Sequence, residues 1–256
     1  MNRDQIGLQL YTVREFTAQD MLDTLRVLAG QGYRAVEFAG LGGVPAETIR
    51  ETLDQHQMRA LGAHVPLDLW TNQPERALAE LQTLGCEFAT VPFVAAEQRG
   101  DSNQIQALAA NLNRWGQLCR AQGLRLAYHN HAFEFEPLAD VGTTMFDLLT
   151  AETDPGLVSF ELDVYWAQYA GRDPIALIES LQDRVPLLHF KDMVGDETRA
   201  DAPIGEGVMP WPAILAAGEA AGVQWYIIEQ DHPRDALNDV HRSLYNLTRL
   251  VERQAS

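Results

Sequence analysis

Short apolar stretches recur along the chain, separated by segments of helical period. Ile6–Val13 is β-rich, and Asp20–Ala29 then places apolar residues at helical spacing behind an aspartate suited to capping a helix. Gly30 and Gly32 stop that helix. Ala35–Phe38 reads as strand and Pro45–His56 as helix, with Pro45 fitted to a first turn. The same rhythm predicts strands at Arg59–His64, Phe88–Val91, Arg125–Asn130, Val158–Leu162, Val185–Phe190 and Gln224–Ile228. Helices are predicted at Glu75–Leu84, Asn103–Gln122, Thr143–Thr150, Pro174–Leu181, Pro212–Ala221 and Asp235–Glu252. Near-continuous apolar strands alternating with helices imply a parallel sheet covered on its faces, and eight such units close a barrel. The predicted fold is therefore α/β, a single-domain (β/α)8 TIM barrel over 1–256, with an open doubly wound sheet as the alternative. The long polar stretch before Pro212 is expected to cover the active face.

The carboxyl ends of the later strands are polar in a repeating way. YHNHAFEF carries His129, His131 and Glu134, ELDVYW carries Glu161 and Asp163, HFKD carries His189, Lys191 and Asp192, and IIEQD carries Glu229 and Asp231. Residues two apart on a strand share a direction, so one member of each pair can face a common axis. Four inward ligands, His129, Asp163, His189 and Glu229, would then meet in one place. Two imidazoles with two carboxylates suit Mn, Co, Fe or Zn better than Ca or Mg, which favour oxygen alone. One strand-end histidine or aspartate more often caps a helix or satisfies a loop; four on consecutive strands favour a metal.

Composition narrows the partners. A formal net charge of -17 opposes a broad nucleic-acid surface and binding to anionic lipid. The chain shows neither a secretory pattern at its start nor an apolar run of membrane-spanning length. Cys86 and Cys119 lack a CxxC spacing and read as reduced structural thiols of a cytoplasmic protein.

QLYTVRE, AVEFAG, YHNHAFEF, ELDVYW, HFKD, IGEGVMPW and YIIEQD, in that order, resemble the sugar phosphate isomerase/epimerase family of xylose isomerase-like barrels. The resemblance runs from Ile6 to about Leu250. It implies one divalent metal held by a residue from each of strands five to eight, commonly Glu, Asp, His and Glu, which fall here on His129, Asp163, His189 and Glu229. His129 departs from the pattern, because the epimerases carry there a glutamate that is both ligand and base. The resemblance also implies a small carbohydrate substrate, with a homodimer as an option that no stretch of the sequence specifies. No Gly-rich loop with a basic partner supports a substrate phosphate.

The chemistry so implied is isomerisation or epimerisation of a sugar or keto-sugar by proton abstraction next to a metal-bound carbonyl. Dehydration of a keto-inositol or keto-glycoside is the alternative, and a sugar-binding barrel without chemistry is a further one. Glu229 is the first candidate base and Glu161 the second, with a salt bridge as the plainer role for Glu161. Lys191 could steady an oxyanion or pair with Asp192 or Glu229. Glu37 and His64 are candidates to bind substrate hydroxyls, His131 to orient His129 or act as acid, and Trp166 to wall a sugar ring; core packing would explain each of these too. Glu206, in IGEG, belongs either to a mobile lid or to a solvated loop. A DNA-repair endonuclease of related fold would need a basic surface that this chain lacks.

Overall fold

In the computed structural model, which describes residues 1–254, eight strands close into a parallel barrel. They are β1 (Ile6–Gln9), β2 (Ala35–Phe38), β3 (Arg59–His64), β4 (Phe88–Val91), β5 (Arg125–His129), β6 (Val158–Asp163), β7 (Leu187–Phe190) and β8 (Trp225–Ile228). Each pairs with its sequence neighbours, and β8 returns to β1 with Ile6 opposite Tyr226. The closed order settles the choice against an open sheet.

The helices are α1 (Arg14–Gln19), α2 (Met21–Gln31), α3 (Ala46–Gln55), α4 (Leu67–Asn72), α5 (Pro74–Leu84), α6 (Ser102–Ala121), α7 (Met145–Glu152), α8 (Val164–Tyr169), α9 (Pro174–Leu181), α10 (Trp211–Ala220) and α11 (Ala236–Gln254). Several begin at an aspartate or threonine whose side chain accepts a backbone N–H of the first turn, as Asp20, Asp101 and Thr144 do. Their apolar faces pack on the outside of the barrel and form the larger core.

Inside the barrel, a period of two separates a floor from a site. Ala35, Leu61, Phe88, Ala127, Leu187, Trp225 and Ile227 fill the floor as a separate apolar cluster. Gly7 faces the same space, where a Cβ would stand 2.4 Å from Leu61 Cδ2, so glycine lets Leu61 cross the axis. Two residues further along most strands the inward position turns polar, at Gln9, Glu37, Thr90, His129 and His189, and Glu229 continues the pattern after Ile227. All six are buried. A register shift between β2 and β3 brings Leu61 inward without changing the inward course of His64.

Four features differ from the sequence expectation. Leu10–Val13 leaves the first strand as a 3-10 turn, because Gln9 Oε1 accepts the Tyr11 N–H and pulls the chain round. Three short helices, α1, α4 and α8, fill loops. Between β7 and α10, Asp192–Met193 pairs antiparallel with Asp201–Ala202. Glu206 is ion-paired with Arg242 of α11 and is not a free acidic tip.

Candidate metal centre

The junction of β6 and α8 supplies the first candidate ligand. Asp163 ends the strand and caps the helix, its Oδ1 accepting the Trp166 N–H at 2.9 Å. Asn130, just past β5, fixes its backbone by accepting the Asp163 N–H at 3.0 Å. One carboxylate oxygen is thus committed to the helix. The other, Oδ2, is buried, accepts no hydrogen bond and faces the Lys191 ammonium at 3.2 Å.

Around that oxygen, donor atoms of His129, Asp163, His189 and Glu229 lie within 4.8 Å of one another. A second set, His64, His129, Glu161 and His189, converges below it and shares both of its inner histidines. The two layers have different surroundings. In the lower one, Glu161 Oε2 meets His64 Nε2 at 2.7 Å, His129 Nδ1 at 3.0 Å and His189 Nε2 at 3.2 Å. Glu37 lies beside it, holding His189 Nε2 at 2.9 Å while accepting the Gln9 amide at 2.8 Å. These carboxylates occupy one nitrogen of each ring; Nε2 of His129 is left for the upper layer, where His189 Nδ1 meets Glu229 Oε2 at 2.8 Å. Carboxylates behind metal-bound histidines act in this way, fixing ring orientation and raising donor strength.

The charges follow from burial and from these contacts. Burial lowers the His129 pKa to about 4 and that of His131 to about 2, so both rings are neutral at neutral pH. Burial also opposes the cationic forms of His189 and Lys191, but the surrounding carboxylates outweigh it and hold both well above their ordinary values. Glu37 is raised to about 7 by burial and by Glu161, whereas Glu161 is lowered because His189 and His64 overcome its own desolvation. Glu161 therefore carries the charge of that pair. Burial raises Asp163 to about 6 against the pull of Lys191, while Lys191 and His189 lower Glu229 despite its burial.

A cavity of about 410 Å³ opens onto the upper layer. His64, His129, His131, Glu229 and Asp231 form its polar wall. Tyr11, Pro66, Pro92 and Phe93 form the facing apolar wall, and Tyr11 and Phe93 are exposed. The residue set fits a divalent ion: two imidazoles and two carboxylates converge, one imidazole is neutral, and Asp163 Oδ2 accepts no hydrogen bond, meeting the Lys191 ammonium only as an ion pair at 3.2 Å. Binding at His189 would release the proton that its carboxylates retain.

The other expected site residues have distinct places. Glu37 and Glu161 are fully buried beneath the cavity and reach it through the histidines they hold. His64 lines the cavity directly. His131 packs between Phe93 and Phe133, with its Nδ1 buried and unpaired. The Trp166 ring stands 5.8 Å from His131 and 5.4 Å from the Lys191 ammonium. Lys191 pairs with Asp163, Glu229 and Asp231, not with Asp192. Asp192 instead gathers the loop before α10, accepting the N–H groups of Met193, Gly205, Gly207 and Met209 and the Trp211 indole. Sequence reasoning missed that role; the glycines of IGEG were its one signal. Glu134 turns away from the centre, to the Tyr128 hydroxyl at 2.9 Å and the His131 N–H at 2.7 Å.

The fold is a closed (β/α)8 barrel with a candidate metal centre at the carboxyl ends of its strands. The model of the xylose isomerase-like TIM barrel family matches residues 25–247, and the chain belongs to that family. It is similar to an inosose dehydratase of Geobacillus kaustophilus, 28% identical over 195 residues that cover 67% of this chain and 62% of the relative. An inosose dehydratase of Lacticaseibacillus casei is 23% identical over 256 aligned residues, covering 85% of this chain and 83% of that one. The chain thus spans less than two thirds of the first relative and most of the second. The crystal structure of a sugar phosphate isomerase/epimerase from Parabacteroides distasonis superposes with a TM-score of 0.82 at 25% identity, over 95% of this chain and 93% of the other. Among the described residues, no helix is long and apolar enough to cross a membrane.

Proposed function

We propose that this chain is a divalent-metal-dependent dehydratase of a cyclic keto-polyol, of the keto-inositol kind. The observation that carries the reading is the convergence of His129, Asp163, His189 and Glu229 within 4.8 Å of one another, with His129 and Glu229 lining the cavity. Relatives named inosose dehydratase favour elimination over the isomerisation or epimerisation that the sequence first suggests. His129 points the same way. It replaces the glutamate that would be the second base of an epimerase, and with Nδ1 held by Glu161 and the ring in the donor set it has no nitrogen left to take a substrate proton.

When bound, the ion would act as a Lewis acid for charge developing on the substrate carbonyl oxygen. Glu229 accepts the proton from the carbon next to that carbonyl. Lys191, cationic and buried beside Glu229, donates a hydrogen bond toward the developing oxyanion. His64 lines the cavity and is kept toward its protonated form because Glu37 and Glu161 outweigh its burial, so it supplies the proton for the departing hydroxyl. His131 and Trp166 shape the polar side against the substrate ring.

The test is metal content per chain by elemental mass spectrometry, with Asp163→Ala beside the unaltered protein, followed by incubation with an inosose in deuterated water. About one ion per chain, lost in the variant, together with a product that has lost water, supports the reading. A deuterated product isomeric with the substrate would move the assignment to an isomerase or epimerase. Metal without exchange or product would leave a sugar-binding barrel.

A further inference from the structure

The Lys191 ammonium and an ion at the proposed centre need the same oxygens. Nζ lies 3.2 Å from both Asp163 Oδ2 and Glu229 Oε2, two of the four donor groups. An ion bonded to those oxygens at about 2.0–2.2 Å would compete with the ammonium for the same carboxylate charge, and the two cations would repel one another. The ion is favoured when another group holds the ammonium. The side chain is fully buried, so it cannot retreat to water.

A third carboxylate provides the alternative. Asp231 Oδ2 accepts a hydrogen bond from Nζ at 2.7 Å, the shortest of its three carboxylate contacts, and Asp231 is outside the donor group. Its backbone is fixed from two directions. Its N–H donates to Asp201 Oδ2, and its carbonyl accepts Arg14 Nη2 at 2.8 Å. The Tyr165 and Trp166 rings, 5.6 and 5.4 Å from Nζ, present further surfaces that favour a cation.

We propose that Asp231 is a positioning residue for the metal centre: it holds the Lys191 ammonium to one side, so that Asp163 and Glu229 can receive a divalent cation. Without the Asp231 charge, the ammonium settles between Asp163 and Glu229 and competes with the ion. This inference rests on the metal reading above and assigns Asp231 no bond to the ion.

The full chain and the variants Asp231→Asn, Lys191→Met and Lys191→Met/Asp231→Asn are titrated with Mn²⁺ and Zn²⁺ by competition calorimetry, with thermal unfolding to check that each is folded. Asp231→Asn is expected to weaken binding about tenfold, and Lys191→Met to strengthen it. In the Lys191→Met background, Asp231→Asn is expected to change affinity less than about twofold, because contacting groups couple in a double-mutant cycle. Equal weakening in both backgrounds would mean that Asp231 acts on the ion directly, and would overturn the proposal. An unchanged affinity in Asp231→Asn overturns it while leaving the metal centre standing, whereas no uptake by the unaltered chain overturns both. Crystals soaked in Mn²⁺ give a readout that needs no variant. Nζ on Asp231 and withdrawn from Asp163 is the expected result; Nζ still against Asp163 beside a bound ion refutes it.

Discussion

His129 Nδ1 lies 3.0 Å from Glu161 Oε2, a carboxylate beneath the centre that does not line the cavity. The contact decides which nitrogen of His129 is left for an ion, and the same oxygen also meets His64 and His189. Glu161→Gln keeps the volume but removes the charge that three rings share. Ion affinity is expected to fall by about 10–100-fold, the usual effect of losing a carboxylate behind a metal-bound histidine. Calorimetric titration with Zn²⁺ checks this, with circular dichroism to show that the barrel persists. Unchanged affinity in a folded variant would remove Glu161 from the orienting role.

The later strand ends could be read from sequence because a period of two holds along β5 to β8, whereas the register shift at β3 breaks it between Leu61 and His64. Ala127 on the floor requires His129 above it, and Leu187 requires His189. The same parity could not tell Glu161 from Asp163, since both face inward on β6 and only depth separates them. Asp163 occupies the upper level because α8 begins there and needs its Oδ1 as a cap. That helix, VYWAQY, carries no helical period of its own and was not legible. The role of Asp192 was hidden for another reason: four of its five partners lie 13 to 19 residues away along a loop whose path no local pattern sets.

Asp192 is the fastening of that loop. Its two oxygens accept four backbone N–H groups and the Trp211 indole, in a buried setting where an unpaired donor costs about 1–3 kcal/mol. Asp192→Ala is expected to lower stability by about 3–5 kcal/mol, because several buried donors lose their acceptor at about 1–3 kcal/mol each and only some can find another. Cleavage within 194–209 under limited proteolysis should accelerate more than cleavage elsewhere. Gly207→Ala is expected to act in the same direction, since its Cβ would stand 2.3 Å from both Asp192 Oδ1 and the Met193 carbonyl. A loop equally protected in both variants would show that other contacts hold it.

Gly116 tests the fit of α6 against the barrel. An added Cβ would lie 2.6 Å from the Leu157 carbonyl oxygen and 3.0 Å from Leu157 Cβ. Alanine is favoured over glycine inside a helix by about 1 kcal/mol, whereas overpacking a closed interface costs about 1–3 kcal/mol. The backbone carbonyl just ahead of β6 cannot swing away as a side-chain end would, so the clash is expected to prevail. Gly116→Ala should lower the urea midpoint, with the slope of the transition unchanged. A raised midpoint would mean that α6 shifts outward at no cost.

Glu134 gives the chain a pH dependence separate from the metal centre. Burial raises its pKa to about 7 from an ordinary 4.5, against the opposing help of the His131 N–H and the Tyr128 hydroxyl. Below 4.5 the group is protonated whether the chain is folded or not, and its contribution is fully present. As pH rises from 4.5 through 7, the unfolded chain ionises first, so that contribution is lost, by an amount on the order of 3 kcal/mol. Glu134→Gln does not titrate. Its Oε1 can still accept the His131 N–H, and its amide can donate to the Tyr128 oxygen. Urea unfolding of both proteins at pH 5, 6, 7 and 8, metal-free, isolates the group from the other buried acids. The stability of the variant relative to the unaltered chain should rise with pH across this window and level off above it. A constant difference from pH 5 to 8 would mean that the two donors outweigh burial and that Glu134 is already ionised at the acid end.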